Sequence, residues 1–542
     1  MIGKDKPWFN SWPPELPKHI EYPLVPLHEL LEVSARNSPQ KIAVVYGTRK
    51  ISYVQLDSLS NQFANALTKL DIAKGDRVAL FLPNIPQFII AYFGILKAGA
   101  TVTAISPLYR EREVEYQLND SGAQTIITLD SLYPIVENVK EKTKLKVVVT
   151  TNLNDYVSDE GTPLTISNTL SFWHMIEKAV RKSQNVQFNP NDDLAALQYT
   201  GGTTGTAKGA MLTHTNLVSN ALAFAAWIKG AVAQETFLAA LPLFHIYGMT
   251  TSMNAPISLA AKMVLVDKFE PKKALENINN HKITVFCGVP TMYAGLLSNP
   301  ELGRYDLTSI RVCISGASSL PRKIQKKFMQ VTGGFLAEGY GLTEASPVTH
   351  CNPVDQSMRT VKVGSIGLPL PDTEARIVDL ETGEKTLAQG ETGELAVKGP
   401  QVMKGYWNQT EETAMVLRNG WLLTGDIARM DEEGYFYIND RKKDLIKCKD
   451  YSVYPHEIED ILYEHPAVKL CAVIGKTDPY AGEVPKAFIV LKEDSAASAE
   501  EIMAFVNDKV ASYKAIREIE FRKELPFSSA GKVLKRVLKD EP

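Results

Sequence analysis

The chain has 542 residues, more than one hydrophobic core usually organises, so a large domain and at least one smaller domain are expected. Hydrophobic residues make up 44% of it and charged residues 22%, a composition that excludes general disorder. Its 59 basic and 62 acidic residues leave a net charge of −3, which excludes long-range attraction to nucleic acid, so phosphate binding must be local.

The first part of the chain alternates short apolar runs with helical patterns. Strands are predicted at 77–82, 101–106 and 123–128, with helices at 88–99 and 110–122 between them. This alternation is typical of parallel strands joined by crossover helices, with each strand buried on both faces. An α/β domain is therefore expected.

Glycine turns separate short strand-like segments from Thr373 onward, among them EARIVDL, GELAVKG and GYFYIND, which indicates a small antiparallel β subdomain. A basic cluster at 441–443 follows, and the remaining sequence mixes helix and strand patterns. We expect an α/β fold in which a large N-terminal domain (1–440), with parallel α/β layers and the β subdomain, precedes a mobile α+β C-terminal domain (441–542).

The five cysteines form no Cys-x-x-Cys pair and are too few for a disulfide framework, which favours a reducing compartment. The N-terminal segment lacks the apolar stretch of a signal peptide, and no run of about 18 uncharged apolar residues occurs. A cytoplasmic protein without a transmembrane segment is expected.

A glycine-threonine loop, YTGGTTGTAKG, occupies 199–209 after an apolar run. Clustered glycines let backbone N–H groups turn toward an anion, threonine hydroxyls add donors, and Lys208 supplies a positive charge. The pattern predicts a triphosphate-binding loop that is not of the Walker type. Taken alone, the loop could also be a flexible surface turn.

Five more motifs follow in order: ISGASSLP (314–321), EGYGLTE (338–344), WLLTGD (421–426), DRKKD (440–444) and PFSSAGK (526–532). Together with the loop they resemble the adenylate-forming superfamily of acyl-CoA synthetases, luciferases and peptide-synthetase adenylation domains. The N-terminal half, with PWFNSWPPELP and SPLYREREVEYQLNDSGA, is most similar to long-chain fatty acid–CoA ligases. The resemblance covers nearly the whole chain and implies an ATP-dependent acid–CoA ligase.

The resemblance also implies how the nucleotide is bound. Gly316, Ala317 and Tyr340 would form the adenine slot, while Asp426 and Arg441 would hold the ribose. The full set implied to bind ATP or AMP is Thr200, Gly201, Gly202, Thr203, Thr204, Gly205, Lys208, Gly316, Ala317, Glu338, Gly339, Tyr340, Gly341, Leu342, Thr343, Asp426, Arg441, Lys443, Lys447 and Lys532. Glu344 and Thr204 would bind Mg²⁺, a hard cation that prefers such oxygen ligands.

Catalysis would depend on Lys532, Thr343, Glu344 and His245. Lys532 would bridge the substrate carboxylate and the α-phosphate, because a flexible ammonium offsets the repulsion between two anions. His245 would line the acyl pocket together with Gly341, with a positioning role rather than acid–base catalysis. On the residues alone, His245 could be an ordinary core histidine and Lys532 a solvated lysine.

Adenylation requires Lys532 inside the active site, whereas thioester formation requires a channel for the pantetheine arm of CoA, and one face of the small domain cannot provide both. The resemblance implies that this domain rotates about Lys443 between the two steps. CoA would bind at Lys449 and Asp450. Relatives commonly carry glycine where this chain has Asp450, and the added volume and charge predict weaker CoA binding or a shifted pantetheine path.

Gly341 stands where acetate and propionate enzymes of the superfamily carry a pocket-filling tryptophan, so acetate is not the expected substrate, although the open pocket would also admit aryl, branched or hydroxylated acids. The resemblance to long-chain fatty acid–CoA ligases favours a medium or long fatty acid. An enzyme for aryl or hydroxy acids, one that loads a carrier protein, and a non-catalytic nucleotide-binding protein are the alternatives. The expected partners are the carboxylic acid, ATP and CoA, with no nucleic acid, and a homodimer is left open.

Overall fold

The computed structural model describes residues 6–156, 166–200, 207–354, 361–449, 451–493, 495–528 and 533–540. Its strands in chain order are β1 Ile42–Tyr46, β2 Arg49–Ser52, β3 Arg77–Phe81, β4 Thr101–Ala104, β5 Thr125–Leu129, β6 Val147–Thr151, β7 Leu170–Ser171, β8 Leu194–Tyr199, β9 Gly209–Thr213, β10 Thr236–Ala239, β11 Lys262–Leu265, β12 Val285–Gly288, β13 Val312–Ser315, β14 Phe335–Gly341, β15 Val348–Cys351, β16 Leu368–Pro369, β17 Glu374–Val378, β18 Gly393–Lys398, β19 Leu417–Arg418, β20 Trp421–Met430, β21 Phe436–Arg441, β22 Ile446–Cys448, β23 Tyr451–Val453, β24 Val468–Asp478, β25 Gly482–Leu491 and β26 Glu518–Phe521.

The α-helices are α1 Glu29–Asn37, α2 Tyr53–Thr68, α3 Pro86–Lys97, α4 Glu111–Ser121, α5 Tyr133–Lys140, α6 Phe172–Glu177, α7 His214–Trp227, α8 Ile246–Met249, α9 Ala255–Ser258, α10 Pro271–His281, α11 Pro290–Leu297, α12 Arg322–Thr332, α13 Thr410–Val416, α14 Pro455–Glu464, α15 Ala499–Asn507 and α16 Lys535–Asp540. Among the described helices, none is both long and apolar enough to cross a bilayer.

The chain divides into two compact units. The larger contains the described residues up to Thr200 together with Ala207–Glu374 and Lys398–Gly420, and the smaller contains Ala375–Val397 and the chain from Trp421 onward. The predicted domain boundary at 440/441 falls inside the smaller unit, between its two sheets, and stays a prediction.

Two sheets organise the larger unit. One has seven strands in the order β7-β6-β5-β3-β4-β8-β9, parallel except for the β8–β9 hairpin. The other has nine, in the order β16-β15-β14-β13-β12-β10-β11-β1-β2, with antiparallel pairing only at β2, β15 and β16. The predicted parallel α/β architecture is confirmed.

Burial explains the apolar character of these elements. Every residue of α3 is buried, so this helix carries no polar face, and its first residue is a proline, which is compatible with a helix start. Helices α4 and α5 cover one face of the seven-stranded sheet, where Val114, Leu118 and Val136 join its core. Helices α10, α11 and α12 contribute to the core of the nine-stranded sheet.

The smaller unit contains two sheets. In the first, β18, β20 and β21 pair antiparallel and β17 lies beside β18, which confirms the predicted β subdomain. The second has the order β23-β22-β25-β24, with β26 pairing parallel to β25. Helices α14 and α15 share its core through Ile458, Leu462 and Ile502, whereas Leu538 of α16 joins a second hydrophobic cluster with Phe488.

Candidate active site

The predicted phosphate-binding loop connects the two strands of the β8–β9 hairpin. Tyr199 and Gly209 face each other across the hairpin, and the Thr200 N–H donates to the carbonyl oxygen of Lys208 at 3.0 Å. The described ends of the loop are therefore held together. The remaining predicted members lie outside the described residues: Gly201, Gly202, Thr203, Thr204 and Gly205.

Lys208 is engaged by two side chains that sequence reasoning missed. Its ammonium forms an ion pair with Glu412 of α13 and lies 5.3 Å from the centroid of the Tyr406 ring. The carbonyl oxygen of the preceding Ala207 accepts a hydrogen bond from the Tyr116 hydroxyl at 2.8 Å. Lys208 is thus positioned at the loop, but its charge is partly balanced by a carboxylate.

Glu344 lies in the 3₁₀ turn Thr343–Ala345, directly after β14. Its Oε1 accepts a hydrogen bond from the Tyr406 hydroxyl at 2.7 Å, and its carbonyl oxygen accepts the Met403 N–H at 2.8 Å. Burial, reinforced by the Glu344 charge, raises the pKa of Tyr406 well above its usual value, so the phenol remains a donor. The carboxylate is therefore oriented while keeping lone pairs for a cation.

The residues predicted for the adenine slot lie at the carboxyl ends of two neighbouring parallel strands. Ser315 of β13 pairs with Glu338 of β14, so Gly316 and Ala317 follow one strand while Gly339, Tyr340, Gly341 and Leu342 complete the other. Ala317 adopts a left-handed conformation with φ of +67°. Ligands of open α/β sheets bind at this edge of the strands, so the geometry fits a nucleotide site.

Close approach of a tyrosine ring explains the glycine at 316. A Cβ atom added to Gly316 would lie 3.0 Å from the ring of Tyr247, whose hydroxyl donates to the Ile314 carbonyl oxygen at 3.0 Å. The Tyr247 N–H in turn donates to Nδ1 of His245 at 3.3 Å. His245 is therefore connected to Gly316 through Tyr247, whose N–H contacts the histidine and whose ring covers the glycine.

His245 is neutral in the folded protein. Burial lowers its pKa to about 4, and because Nδ1 accepts the Tyr247 N–H, the ring hydrogen belongs on Nε2. A neutral donor of this kind can orient an oxygen atom, but it is a poor proton acceptor near neutral pH. This agrees with the predicted positioning role.

Two buried amides hold the segment before His245. Asn84 donates to the carbonyl oxygens of Ala239 and Leu241 at 3.1 and 2.8 Å and accepts the Leu243 N–H at 2.8 Å. Gln198 of β8 donates to the Phe244 carbonyl oxygen at 2.9 Å. Gln198 thereby links β8, which leads into the predicted phosphate-binding loop, to the His245 segment, and neither amide was predicted.

Gly341 has no room for a side chain in this backbone conformation. A Cβ atom there would lie 2.2 Å from the Pro347 carbonyl oxygen, far inside van der Waals contact. A tryptophan at this position would therefore require a different path for the chain between Leu342 and Pro347. The role of Gly341 in the acyl pocket stays a prediction.

Asp426 and Arg441, the predicted ribose ligands, face each other on β20 and β21 of the smaller unit. Arg441 Nε lies 3.0 Å from Oδ1 of the buried Asp426. The ammonium of nearby Lys443 is buried without a hydrogen-bond partner among the described residues, and burial followed by the charge of Arg441 lowers its pKa to about 8. Such an ammonium would be stabilised by an anion.

Lys447 belongs to β22, in the other sheet of the smaller unit, and Lys449 directly follows that strand. The Lys447 N–H donates to Oε2 of Glu483 at 2.8 Å, and the Lys449 N–H donates to the Ala481 carbonyl oxygen at 2.7 Å. Lys449 itself has φ of +54°, the conformation expected of a glycine in this loop. Asp450 and Lys532 lie outside the described residues, although the bridge between Phe527 and Val533 flanks the segment that contains Lys532.

Comparisons with known proteins agree with this geometry. Residues 31–407 match the family model of the AMP-binding enzyme, and residues 457–532 match that of the AMP-binding enzyme C-terminal domain. The chain is 44% identical over 559 residues to the long-chain-fatty-acid–CoA ligase of Bacillus subtilis, covering 100% of this chain and 99% of that one. It is 38% identical over 556 residues to the ligase of the same name from Salmonella typhimurium, with 99% and 98% covered.

Among solved structures, ATP-bound MatB from Rhodopseudomonas palustris has a TM-score of 0.86 at 30% identity, covering 95% of this chain and 99% of that one. The chain belongs to the AMP-binding enzyme family. The predicted resemblance is thereby confirmed, and the protein is an ATP-dependent acid–CoA ligase that uses ATP and CoA as substrates.

Proposed function

We propose that this ligase activates a medium or long fatty acid as an acyl-adenylate, with release of pyrophosphate, and then transfers the acyl group to CoA with release of AMP. The observation that carries the choice of acid is the 44% identity, over the full length of both chains, to the long-chain-fatty-acid–CoA ligase of Bacillus subtilis. A benzoate CoA ligase from Burkholderia xenovorans, among the solved structures, is less similar, at 28% identity.

The nucleotide would bind across the carboxyl ends of β13 and β14. Gly316, Ala317 and Tyr340 would contact the adenine, Asp426 and Arg441 would hold the ribose, and the loop ending at Lys208 would bind the β- and γ-phosphates. The ion pair between Lys208 and Glu412 supports a poised ammonium that exchanges its carboxylate partner for phosphate when ATP arrives.

Mg²⁺ would be held by Glu344 and Thr204 together with phosphate oxygens. The hydrogen bond from Tyr406 to Glu344 supports this assignment, because it fixes one carboxylate oxygen and leaves the other for a hard cation. When bound, the cation would neutralise charge on the triphosphate and assist departure of pyrophosphate.

The substrate carboxylate attacks the α-phosphorus in the first step, and the CoA thiolate attacks the acyl carbonyl in the second. Thr343 and Lys532 would stabilise the charge that develops at the α-phosphate. His245 would position the acid from its neutral Nε2–H, with the acyl chain extending past Gly341. No protein nucleophile is needed, because the carboxylate and the thiolate fill that role.

The hydrogen bonds of the preceding residue, Lys442, support a pivot at Lys443. Lys442 donates from its N–H to the Gly425 carbonyl oxygen and from Nζ to Oε2 of buried Glu394, both at 2.9 Å. Glu394 also accepts the Gly425 N–H at 2.9 Å. The chain is thus tied to β20 through Lys442. Lys443 follows in a turn closed by the hydrogen bond from the Asp444 N–H to the Arg441 carbonyl oxygen at 3.0 Å, and a backbone rotation at Lys443 would open this turn.

The direct test measures pyrophosphate release and AMP formation with acids from acetate to palmitate and with 4-coumarate, each with and without CoA. CoA-dependent turnover that peaks at medium or long chains is expected. A peak at 4-coumarate would establish an aryl-acid ligase, and pyrophosphate release that ignores CoA would establish transfer to a carrier protein.

We also propose a cytoplasmic location, since all five cysteines are buried free thiols that suit a reducing compartment. A homodimer remains a prediction, which analytical ultracentrifugation would test.

A further inference from the structure

Asp440 is a buried carboxylate that joins the strand before Lys443 to the helix after it. Its side chain lies at the end of β21, and the residue is only 7% exposed. Oδ1 accepts the N–H of Arg441 at 2.7 Å, and Oδ2 accepts the N–H of His456, in the first turn of α14, at 2.9 Å. One oxygen thus serves the strand and the other serves the helix.

Asp440 supplies a cap that α14 lacks locally. Tyr454 occupies the N-cap position but makes no side-chain capping bond, and Pro455 begins the helix. A carboxylate at the first turn satisfies an otherwise unpaired N–H and interacts favourably with the helix dipole. The capping residue of α14 therefore comes from the other side of the predicted pivot.

The same helix holds the start of α16. Lys535 Nζ lies 2.7 Å from Oε1 of Glu459, which also accepts the Val473 N–H at 2.7 Å. Although burial opposes it, the charges of Glu459 and Asp440 raise the pKa of Lys535, so the ammonium stays charged in this cluster. Lys535 stands three residues beyond the predicted adenylating Lys532.

These contacts form a continuous path. It runs from Asp426 and Arg441, the predicted ribose ligands, through Asp440 to α14, and from Glu459 to Lys535. Rotation about Lys443 would separate Asp440 from His456, because the two residues lie on opposite sides of the pivot. The contacts of Lys442, which lie before the pivot, would persist.

We propose that Asp440 is a positioning residue that latches the segment after Lys443 in the orientation used for adenylate formation and must release His456 before thioester formation. The inference rests on the two-step function and the pivot proposed above. It assigns to Asp440 no contact with substrate. Its effect is on where α14, and with it the start of α16, stands relative to Arg441.

The two half-reactions of the full-length enzyme test this assignment separately. In Asp440→Ala, acid-dependent pyrophosphate exchange into ATP should fall about tenfold, the loss expected for a charge-assisted hydrogen bond, while conversion of supplied acyl-adenylate with CoA is unchanged or faster. Asp440→Asn keeps an acceptor for the His456 N–H and should lose only about threefold in exchange. Glu464→Ala is the matched control, because it removes a 63%-exposed carboxylate from the last turn of the same helix, where its partner is Lys509, and it should leave both rates unchanged.

Equal losses in both half-reactions, together with a lower unfolding temperature, would reduce Asp440 to a structural residue and overturn the latch. Unchanged pyrophosphate exchange in Asp440→Ala would overturn it as well. If the unmodified enzyme catalysed no exchange with any acid, the proposed function itself would fail, and the latch would fail with it.

Discussion

The hydroxyl of Tyr406 lies 2.7 Å from Oε1 of Glu344, a contact that joins the segment after β18 to the turn after β14. The two residues are 62 positions apart in the chain. The contact orients the carboxylate proposed for Mg²⁺, so the metal requirement should respond to a residue that never touches the metal.

We expect Tyr406→Phe to raise the Mg²⁺ concentration for half-maximal activity by about fivefold, because one hydrogen bond to a charged group is lost. Glu344→Gln should lower kcat by about a hundredfold or more, since it removes the proposed ligand. Steady-state rates over a Mg²⁺ titration measure both. Tyr133→Phe, which removes a similar tyrosine–glutamate contact at Glu137, serves as the control and should change neither quantity.

The ion pair between Lys208 and Glu412 predicts that removing the carboxylate should lower the KM for ATP. Glu412→Gln should lower the KM for ATP by up to about threefold, because the ammonium loses a competing partner of the modest strength typical of half-exposed ion pairs. Lys208→Met should raise that KM by about tenfold. In the double variant the effect of Glu412→Gln should vanish. A higher KM in Glu412→Gln alone would instead make this carboxylate part of the nucleotide site.

Gly316 and the neighbouring Ala317 should respond in opposite ways. In Gly316→Ala the new methyl meets the Tyr247 ring at 3.0 Å, so the ring must shift and the KM for ATP should rise, with a loss of about 1 kcal/mol in unfolding free energy. Ala317 has a positive φ, so Ala317→Gly should relieve up to about 1 kcal/mol of strain. Chemical denaturation and nucleotide titration test the pair, and equal behaviour of the two variants would contradict it.

Burial of His245 predicts a pH-dependent stability. Its pKa falls from the ordinary 6.5 to about 4, so the unfolded chain takes up this proton at a higher pH than the folded chain does. The contribution of neutral His245 to the free energy of unfolding is therefore fully present above pH 6.5 and is lost as the pH falls toward 4. The loss reaches about 2 kcal/mol at pH 5. Urea unfolding of the enzyme and of His245→Asn between pH 5 and pH 8 should show the smaller pH dependence in the variant.

The activity of His245→Asn separates positioning from proton transfer. Because His245 stays neutral through the working range, kcat/KM for the acid should fall by a constant factor, about tenfold, from pH 6 to pH 8. A change in the shape of the pH profile would contradict the positioning role.

CoA binding should depend on the loop at 449–451 and on the adjacent hairpin tip. Tyr480 at that tip is 92% exposed, and the next carbonyl oxygen, that of Ala481, accepts the Lys449 N–H. Tyr480→Ala should raise the KM for CoA by about fivefold through lost stacking on the CoA base, and Asp450→Gly should lower it. Pyrophosphate exchange, which needs no CoA, should be unchanged in both. An unaltered KM for CoA in Asp450→Gly would contradict the prediction that Asp450 weakens CoA binding.

Much of the fold could be predicted because its signals are local. The runs RVALFL at 77–82 and TVTAIS at 101–106 are rich in apolar and β-branched residues, as strands buried on both faces usually are, and they became β3 and β4. The ordered motifs indicated the ligase through their resemblance to the adenylate-forming superfamily, and they could be found because each is a short contiguous segment.

The partners of the predicted residues could not be found in this way. Tyr406 and Glu412 lie in the segment 398–420, which returns to the larger unit after a stretch that belongs to the smaller one, and no sequence period records that return. The sequence indicated Asn84 and Gln198 only weakly. Both are amides within apolar segments, and a buried amide needs hydrogen-bond partners. That rule indicates that such partners exist but not which carbonyl oxygens they are.

The hairpin that carries the predicted phosphate-binding loop should make nucleotide affinity sensitive to ionic strength. In a strand–loop–helix motif the helix dipole attracts the phosphates at no cost in added charge. Here the predicted loop is followed directly by β9 rather than by a helix, so, beside the N–H and hydroxyl donors expected of the loop, the net positive charge would come from Lys208 and the proposed divalent cation. Nucleotide affinity in this ligase should therefore weaken steeply with added monovalent salt, because lysine and metal charges at a protein surface are screened within about 8 Å at physiological salt.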